Sequence, residues 1–273
     1  MRRREGFTVI ELLIVLALTG LILSAAYRIL FTQQRSARAQ AIQAASRSSL
    51  RTALAVLGTE LREAASFAGS GNGGSDLAMV SSDSVRFRAL RQFAVICDVN
   101  KGAKWLDLWV LGETFAKGDH VMAYAEQDTV QDAGDDQWQT DVVGNTGAVA
   151  NTSCATSWPG ATSQGIATPG IDMSGVEKGE PVRGFEWVGY GLTQSGGQWV
   201  IVRRSADGEH VIAEGLAAPS NGAPLFAYYD SSGAATADPH AVAQIRMTLR
   251  TPGNAGVGVP PETLSTRLYL RNN

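Results

Sequence analysis

From Phe7 to Tyr27 the chain runs for 21 residues with a single charge, Glu11. An α-helix that crosses the hydrocarbon core of a bilayer needs about 20 mostly apolar residues. The stretch therefore fits one spanning helix, and it constrains the fold more than any other part of the chain. In lipid the backbone must satisfy its own hydrogen bonds, which a single segment does only as a helix. A secretory signal peptide is the competing reading, with an apolar core of about 7–15 residues before a small-residue cleavage site. Here the run is longer, and "SAAYRILF" continues it without Pro or Gly. Retention of the segment is expected. Charge does not orient it: Arg2, Arg3 and Arg4 precede the span, and Arg28, Arg35 and Arg38 follow it. The basic excess that marks a cytoplasmic flank is thus on neither side alone.

Glu11 needs a reason to be there. A charged side chain at a bilayer centre costs about 2.5–3.5 kcal/mol on insertion scales, less near the interface, and such groups usually find a partner. No Lys or Arg lies between Glu11 and Arg28, position 15 is Val15, and Arg4 is seven positions back. An idle acid at headgroup level is the plain alternative, and the local sequence leaves it open.

The pattern as a whole is more specific than its parts. Basic residues precede Gly6, then Phe7 and Thr8 follow, then Glu11, then the apolar run "LLIVLALTGLIL". This resembles the type IV prepilin signal, a short basic leader ending in Gly, a cut, Phe, and Glu as the fifth mature residue. The resemblance implies a leader over residues 1–6 and cleavage between Gly6 and Phe7 by a prepilin peptidase on the cytoplasmic side. It also implies N-methylation of the new Phe7 amine. The C-terminal region would then lie in the periplasm, anchored by a single pass in a bacterial inner membrane. The implied partners are other pilins or minor pilins through the N-terminal helix, the peptidase, and an inner-membrane assembly platform. Glu11 would set assembly register by meeting the Phe7 amine of a neighbouring subunit. A buried carboxylate and a buried ammonium are each costly alone and much less so together.

The helix is expected to continue well past the span. No proline occurs before Pro159, and between Phe7 and Ala68 only Gly20 and Gly58 interrupt. Leu50, Leu54, Leu57, Leu61 and Ala64 recur at spacings of three and four, the apolar stripe of one helix. Arg51 and Arg62 flank that stripe on one side, Glu60 and Glu63 on the other. Residues 7–31 read as the transmembrane or filament-core half and 32–68 as an amphipathic half, ended by the Gly-rich run Gly69–Gly74. That run follows a helix instead of joining a strand to one, so it reads as a terminator and not as a phosphate loop. A coiled coil is disfavoured because Gln33–Ser49 is rich in alanine and serine without apolar heptads.

From residue 75 to 273 the texture changes to strands and turns. "SVRFRAL" alternates apolar and basic residues as a half-buried strand does, and "FAVICDV", "LDLWVLG" and "DHVMAYAEQ" are further strand-length runs. Residues 128–181 are polar and rich in Gly, Thr, Ser and Asp, and read as one long loop. Beyond it, "GFEWVGYGL" and "QWVIVRRS" flank "TQSGG" as a hairpin, and "EHVIAEGL" extends a meander. "PLFAYYDSSG", "VAQIRMTLRT" and "STRLYLRN" complete it. The last 90 residues or so, with the turn of Tyr229, Asp230 and Gly233, resemble PilW-type minor pilins and the J-type pseudopilins of type II secretion. The length of the chain favours the PilW type. The expected fold is α+β and pilin-like: a long N-terminal helix packed on a C-terminal antiparallel sheet domain.

Chemistry-bearing motifs are sparse. The three histidines, His120, His210 and His240, are scattered, and no H-E-x-x-H, C-x-x-C, G-x-S-x-G or P-loop pattern occurs. The reading is therefore of a non-enzyme with no cofactor and no metal. Asp128, Asp132, Asp135, Asp136 and Asp141 could hold Ca²⁺ through oxygen ligands, but they miss the EF-hand spacing and read as a solvated acidic loop. A net charge of −3 advertises no nucleic-acid surface. The two cysteines, Cys97 and Cys154, are a disulfide candidate if this region is exported, the other reading being two unrelated buried thiols. An assembly role, in a pilus or in a type II secretion pseudopilus, stands against a membrane-anchored exported enzyme or binding protein.

Overall fold

The computed structural model describes residues 8–64, 75–126, 136–155, 158–219 and 224–270. The helix α1 runs Val9–Glu63, 55 residues, or roughly 80 Å at 1.5 Å per residue. Thr8 caps it in extended conformation, and its hydroxyl accepts the N–H of Glu11 at 3.3 Å. At the other end Ala64 turns extended while its N–H donates to the Leu61 carbonyl. The helix thus stops before residue 68, the expected limit; the last turn of the leucine stripe is also the last turn of the helix.

The strands are β1 (Leu77–Val80), β2 (Ser84–Asn100), β3 (Trp105–Leu111), β4 (His120–Ala125), β5 (Gln137–Val142), β6 (Asn145–Gly147), β7 (Thr162–Ala167), β8 (Pro181–Ser195), β9 (Gln198–Ser205), β10 (Gly208–Leu216), β11 (Phe226–Tyr229), β12 (Gln244–Arg250) and β13 (Thr263–Tyr269). All pair antiparallel. The larger sheet runs β10-β9-β8-β2-β3-β7-β6, with β1 on β2 and a β4–β5 pair attached to β8; β11-β12-β13 form a second, smaller sheet. This is the expected pilin-like α+β arrangement of helix and antiparallel domain.

Two departures matter. The runs "SVRFRAL" and "FAVICDV" are one 17-residue strand, β2, whose register on β8 slips between Leu90 and Phe93. Such a bulge bends a strand without ending it, so local pattern reads two pieces. The segment 128–181 is not a single loop. It supplies β5, β6 and β7 and two short 3-10 turns. These strands are short and polar, and β7 earns its place by pairing along β3 from Val110 to Trp105, a long-range reward that composition does not display.

β2 and β8 pass through two apolar cores. In the first, Leu50, Leu54, Leu57 and Leu61 of α1 pack against Phe87, Val188 and Tyr190 and against the second sheet through Ile245, Met247 and Leu268. The second core lies at the far end, built from Ile96, Leu106, Leu108, Val121, Ile166 and Val182. The "SGG" turn closes at Gly196–Gly197, both with positive φ, directly after the Ser195–Gln198 pair. That is the hairpin geometry glycine permits at no steric cost.

Candidate assembly helix and its seat on the domain

α1 divides by burial. From Val9 to Phe31 its large apolar side chains are exposed, Val9 at 76%, Leu21 at 68% and Phe31 at 58%. Soluble monomers rarely expose a continuous apolar surface of this extent. This half is long and apolar enough to cross a membrane by length and composition. From Leu50 onward the same helix carries fully buried leucines. Glu11 sits in the exposed half, in the first turn, its backbone N–H held by Thr8. Carboxylates favour that position because first-turn N–H groups are unsatisfied and the helix dipole is positive there. The cleavage pair Gly6 and Phe7 lies outside the described residues.

The connection between β12 and β13 follows the helix toward its exposed half. Glu262 accepts from Gln43 at 2.6 Å and forms an ion pair with Arg47 at 2.7 Å. Further along, Arg35 donates to the Gly256 carbonyl at 3.3 Å. These contacts hold the alanine- and serine-rich middle of α1, which has no leucine seam of its own. The Arg47 bond, with the Gln43 bond beside it, keeps the Glu262 carboxyl below the ordinary carboxylate range.

A charged node fixes the buried half. Tyr190 on β8 donates to Glu60 at 2.8 Å. Arg91 lies 3.3 Å from Glu60 and 3.0 Å from Glu186, and Arg203 lies 3.4 Å and 3.5 Å from the same two carboxylates. Two guanidinium groups thus alternate with two carboxylates across α1, β2, β8 and β9. Burial pushes the Tyr190 hydroxyl up, and the Glu60 charge adds to it. At Glu186 burial also pushes up, but the bonds from Arg91 and the N–H of Ala206 outweigh it and hold the carboxyl below its usual range. Sequence reading put Glu60 beside the leucine stripe but gave it no partner. The available signal was an acid one position before Leu61, at the edge of the buried face.

Cys97 on β2 and Cys154, on a 3-10 turn at Thr152–Ala155, form a disulfide with Cα atoms 5.8 Å apart. The turn is held at other points as well. The N–H groups of Ala150 and Asn151 donate to the buried Asp107 carboxylate at 2.9 and 2.7 Å, and the Trp109 indole donates to the Cys154 carbonyl at 3.2 Å.

Among the described residues, Asp136 and Asp141 of the acidic run have separate partners. Asp128, Asp132 and Asp135 lie outside the described residues. Asp136 accepts from the Tyr124 hydroxyl, and Asp141 accepts the N–H of Gly170 at 2.7 Å. His210 pairs with Arg203 across β9 and β10. His120 and His240, by contrast, share one cleft on the domain with Arg88 and Trp187. Arg88 is buried and paired with Asp76 at 3.0 Å, a contact that sequence reading did not anticipate.

Residues 1–27 match the family model described as the prokaryotic N-terminal methylation motif. No curated protein and no solved structure matches the chain. The motif is the type IV prepilin-like signature. With the exposed apolar helix it supports a membrane-associated chain of type IV pilin or pseudopilin character.

Proposed function

We propose that this chain is a minor pilin, a structural subunit without catalytic activity that helps to initiate, prime or cap a type IV pilus. A prepilin peptidase cuts between Gly6 and Phe7 and Phe7 is N-methylated; the helix anchors the subunit in the inner membrane, with the sheet domain in the periplasm, until assembly. The observation that carries this reading is the division of α1. One helix joins a matched methylation motif and a bare apolar half to a half that is locked into a folded domain. Packing of such bare halves against one another would cover apolar surface that a monomer leaves in lipid. The apolar area supplies the contact, and the Glu11–amine pair supplies axial register.

The test is co-expression with a prepilin peptidase. The chain should shorten by the six residues 1–6 and yield N-methylated Phe7 by terminal mass spectrometry. A chain that keeps Met1 under those conditions overturns the reading. A host deleted for this gene should lose surface pili. Loss of type II secretion with pili intact would assign the subunit to a pseudopilus instead.

A further inference from the structure

β8 is a forked strand. Residues Val182 to Phe185 pair with β4, whereas Gly189 to Ser195 pair with β9 on the same edge. Glu186, Trp187 and Val188 lie in the gap between the two partner strands. A cleft of about 870 Å³ opens there, within the size range of small-ligand sites.

Its floor is made by a missing side chain. Arg86 on β2, Gly189 on β8 and Arg204 on β9 form one cross-strand row, so all three point to the same face. Phe87, Val188 and Tyr190 alternate with them and pack toward α1, which leaves this row on the face away from the helix. A Cβ at Gly189 would have only the Val85 carbonyl at 3.7 Å and the Arg204 Cβ at 3.9 Å nearby. The space between two arginines is therefore open. Trp187, two residues along, closes one end, with the Arg86 guanidinium 5.0 Å above its ring. The Phe185 ring packs edge-on to Trp187 and stacks on His120, extending the aromatic wall. Gln92, Glu113 and Asp119, and Asp207 of the β9–β10 turn, also line the cleft.

We propose that this cleft binds a neutral oligosaccharide. Three arginines and four carboxylates line it, so neither a polyanion nor a polycation meets a favourable field. Hydroxyl groups, which both donate and accept, suit such a mixed set of planar polar side chains. The apolar C–H face of a pyranose ring suits the wall of Trp187, Phe185 and His120, aromatic rings that offer a large apolar surface with a polar tip. Strand addition by a peptide is disfavoured because only three residues of β8 are unpaired on that edge. The Arg86, Gly189 and Arg204 row lies on the face away from α1, while Arg91 and Glu186 at the cleft's edge also belong to the Glu60 node; the proposal uses none of the assembly reading.

The test uses the full chain in micelles of a zwitterionic detergent, so that no sugar headgroup competes. Maltohexaose, cellohexaose and the hexamer of N-acetylglucosamine are titrated, with a heparin hexasaccharide and a dT oligonucleotide as anionic probes. The expected result is saturable quenching of tryptophan fluorescence by at least one neutral hexasaccharide and by neither anion. Gly189→Leu should fill the cleft and weaken binding by about tenfold or more. If that variant does not fold, Asp207→Asn keeps the turn chemistry and should still weaken binding severalfold while the melting curve stays unchanged. Binding of no neutral sugar, binding indifferent to both variants, or preference for heparin or dT overturns the proposal.

Discussion

The Tyr190 hydroxyl donates to Glu60 across 2.8 Å, joining the last turns of α1 to the middle of the sheet. Glu60 is also what separates Arg91 from Arg203 on its side of the node. Removing it leaves two guanidinium groups facing one another with Glu186 alone between them. Glu60→Ala should destabilise the folded domain by about 1–3 kcal/mol, the range for a lost charged hydrogen-bond partner. Tyr190→Phe should cost about 1 kcal/mol, since only one bond goes. Chemical denaturation of the full chain in detergent measures both. A loss for Glu60→Ala no larger than for Tyr190→Phe would refute the idea of a node.

The same node contributes to an acid limb in the stability profile. Glu186 is held below its ordinary value of 4.5 in the folded state. A depressed carboxyl contributes stability above its unfolded value and loses it as pH falls through the folded one. Melting temperature should therefore fall as pH drops below 4.5. Glu180 has the opposite sign, because burial pushes its carboxyl up, so its contribution is present below 4.5 and lost as pH rises through its folded value. Glu186→Gln should reduce the acid limb, to which Glu262 also contributes, and Glu180→Gln should leave that limb in place while raising stability near neutral pH relative to acid. Melting curves at a series of pH values decide between these outcomes.

Cys97 and Cys154 enclose a separation of 57 residues. Constraining a loop of that length in the unfolded chain is worth about 4 kcal/mol in the chain-entropy model. Cys97→Ser/Cys154→Ser should lower stability by about 2–4 kcal/mol. The bonds from Ala150 and Asn151 to Asp107 remain to hold the turn, so the near-ultraviolet signal of Trp109 should shift only modestly. A double variant as stable as the parent, measured under oxidising conditions, would show that the link adds nothing.

Along the leucine seam two neighbours should respond with opposite signs. Leu57 is fully buried, and Leu57→Ala should cost about 2–5 kcal/mol through lost burial and a cavity. Gly58 faces the second sheet, where a Cβ would meet Leu268 at 3.6 Å, an ordinary contact. Gly58→Ala should stabilise by up to about 1 kcal/mol, because alanine costs less backbone entropy in a helix. Gly58→Leu should destabilise by overpacking against Leu268 and Met247. Comparing the three by denaturant midpoint tests whether α1 is seated as tightly as its contacts indicate.

The helix, its buried stripe and most strands are legible because each repeats a local period. Leu50 through Ala64 reads at 3.6 residues per turn, and "SVRFRAL" reads at two. What is not legible depends on partners far along the chain. β2 reads as two strands because a bulge interrupts its pattern, while β8 opposite runs straight through. β7 is a polar run that becomes a strand only beside β3. Glu60 finds Arg91, Tyr190 and Arg203 through separations of 31, 130 and 143 positions, beyond the reach of any local pattern. The fork of β8 is likewise a property of topology, and Gly189 reads in isolation as a weak point of a strand, although its missing side chain is what opens the cleft.

Glu11 offers the sharpest separation of processing from assembly. Its side chain lies in the exposed apolar half of α1, and its own helix has no basic residue before Arg28. If the neighbouring Phe7 amine is its partner, cleavage must come first and pairing second. Glu11→Ala should then be cut and N-methylated as the parent is, yet fail to enter filaments. Breaking a buried pair by removing one partner costs about 3–5 kcal/mol, more than a hundredfold in an assembly equilibrium. Glu11→Asp keeps the charge but draws it back by one methylene, so incorporation should fall to an intermediate level. Mass spectrometry of the N-terminus gives the processing arm, and the subunit's abundance in sheared filaments gives the assembly arm. Normal incorporation of Glu11→Ala would mean that the acid sits idle at the headgroups and that apolar packing alone sets register.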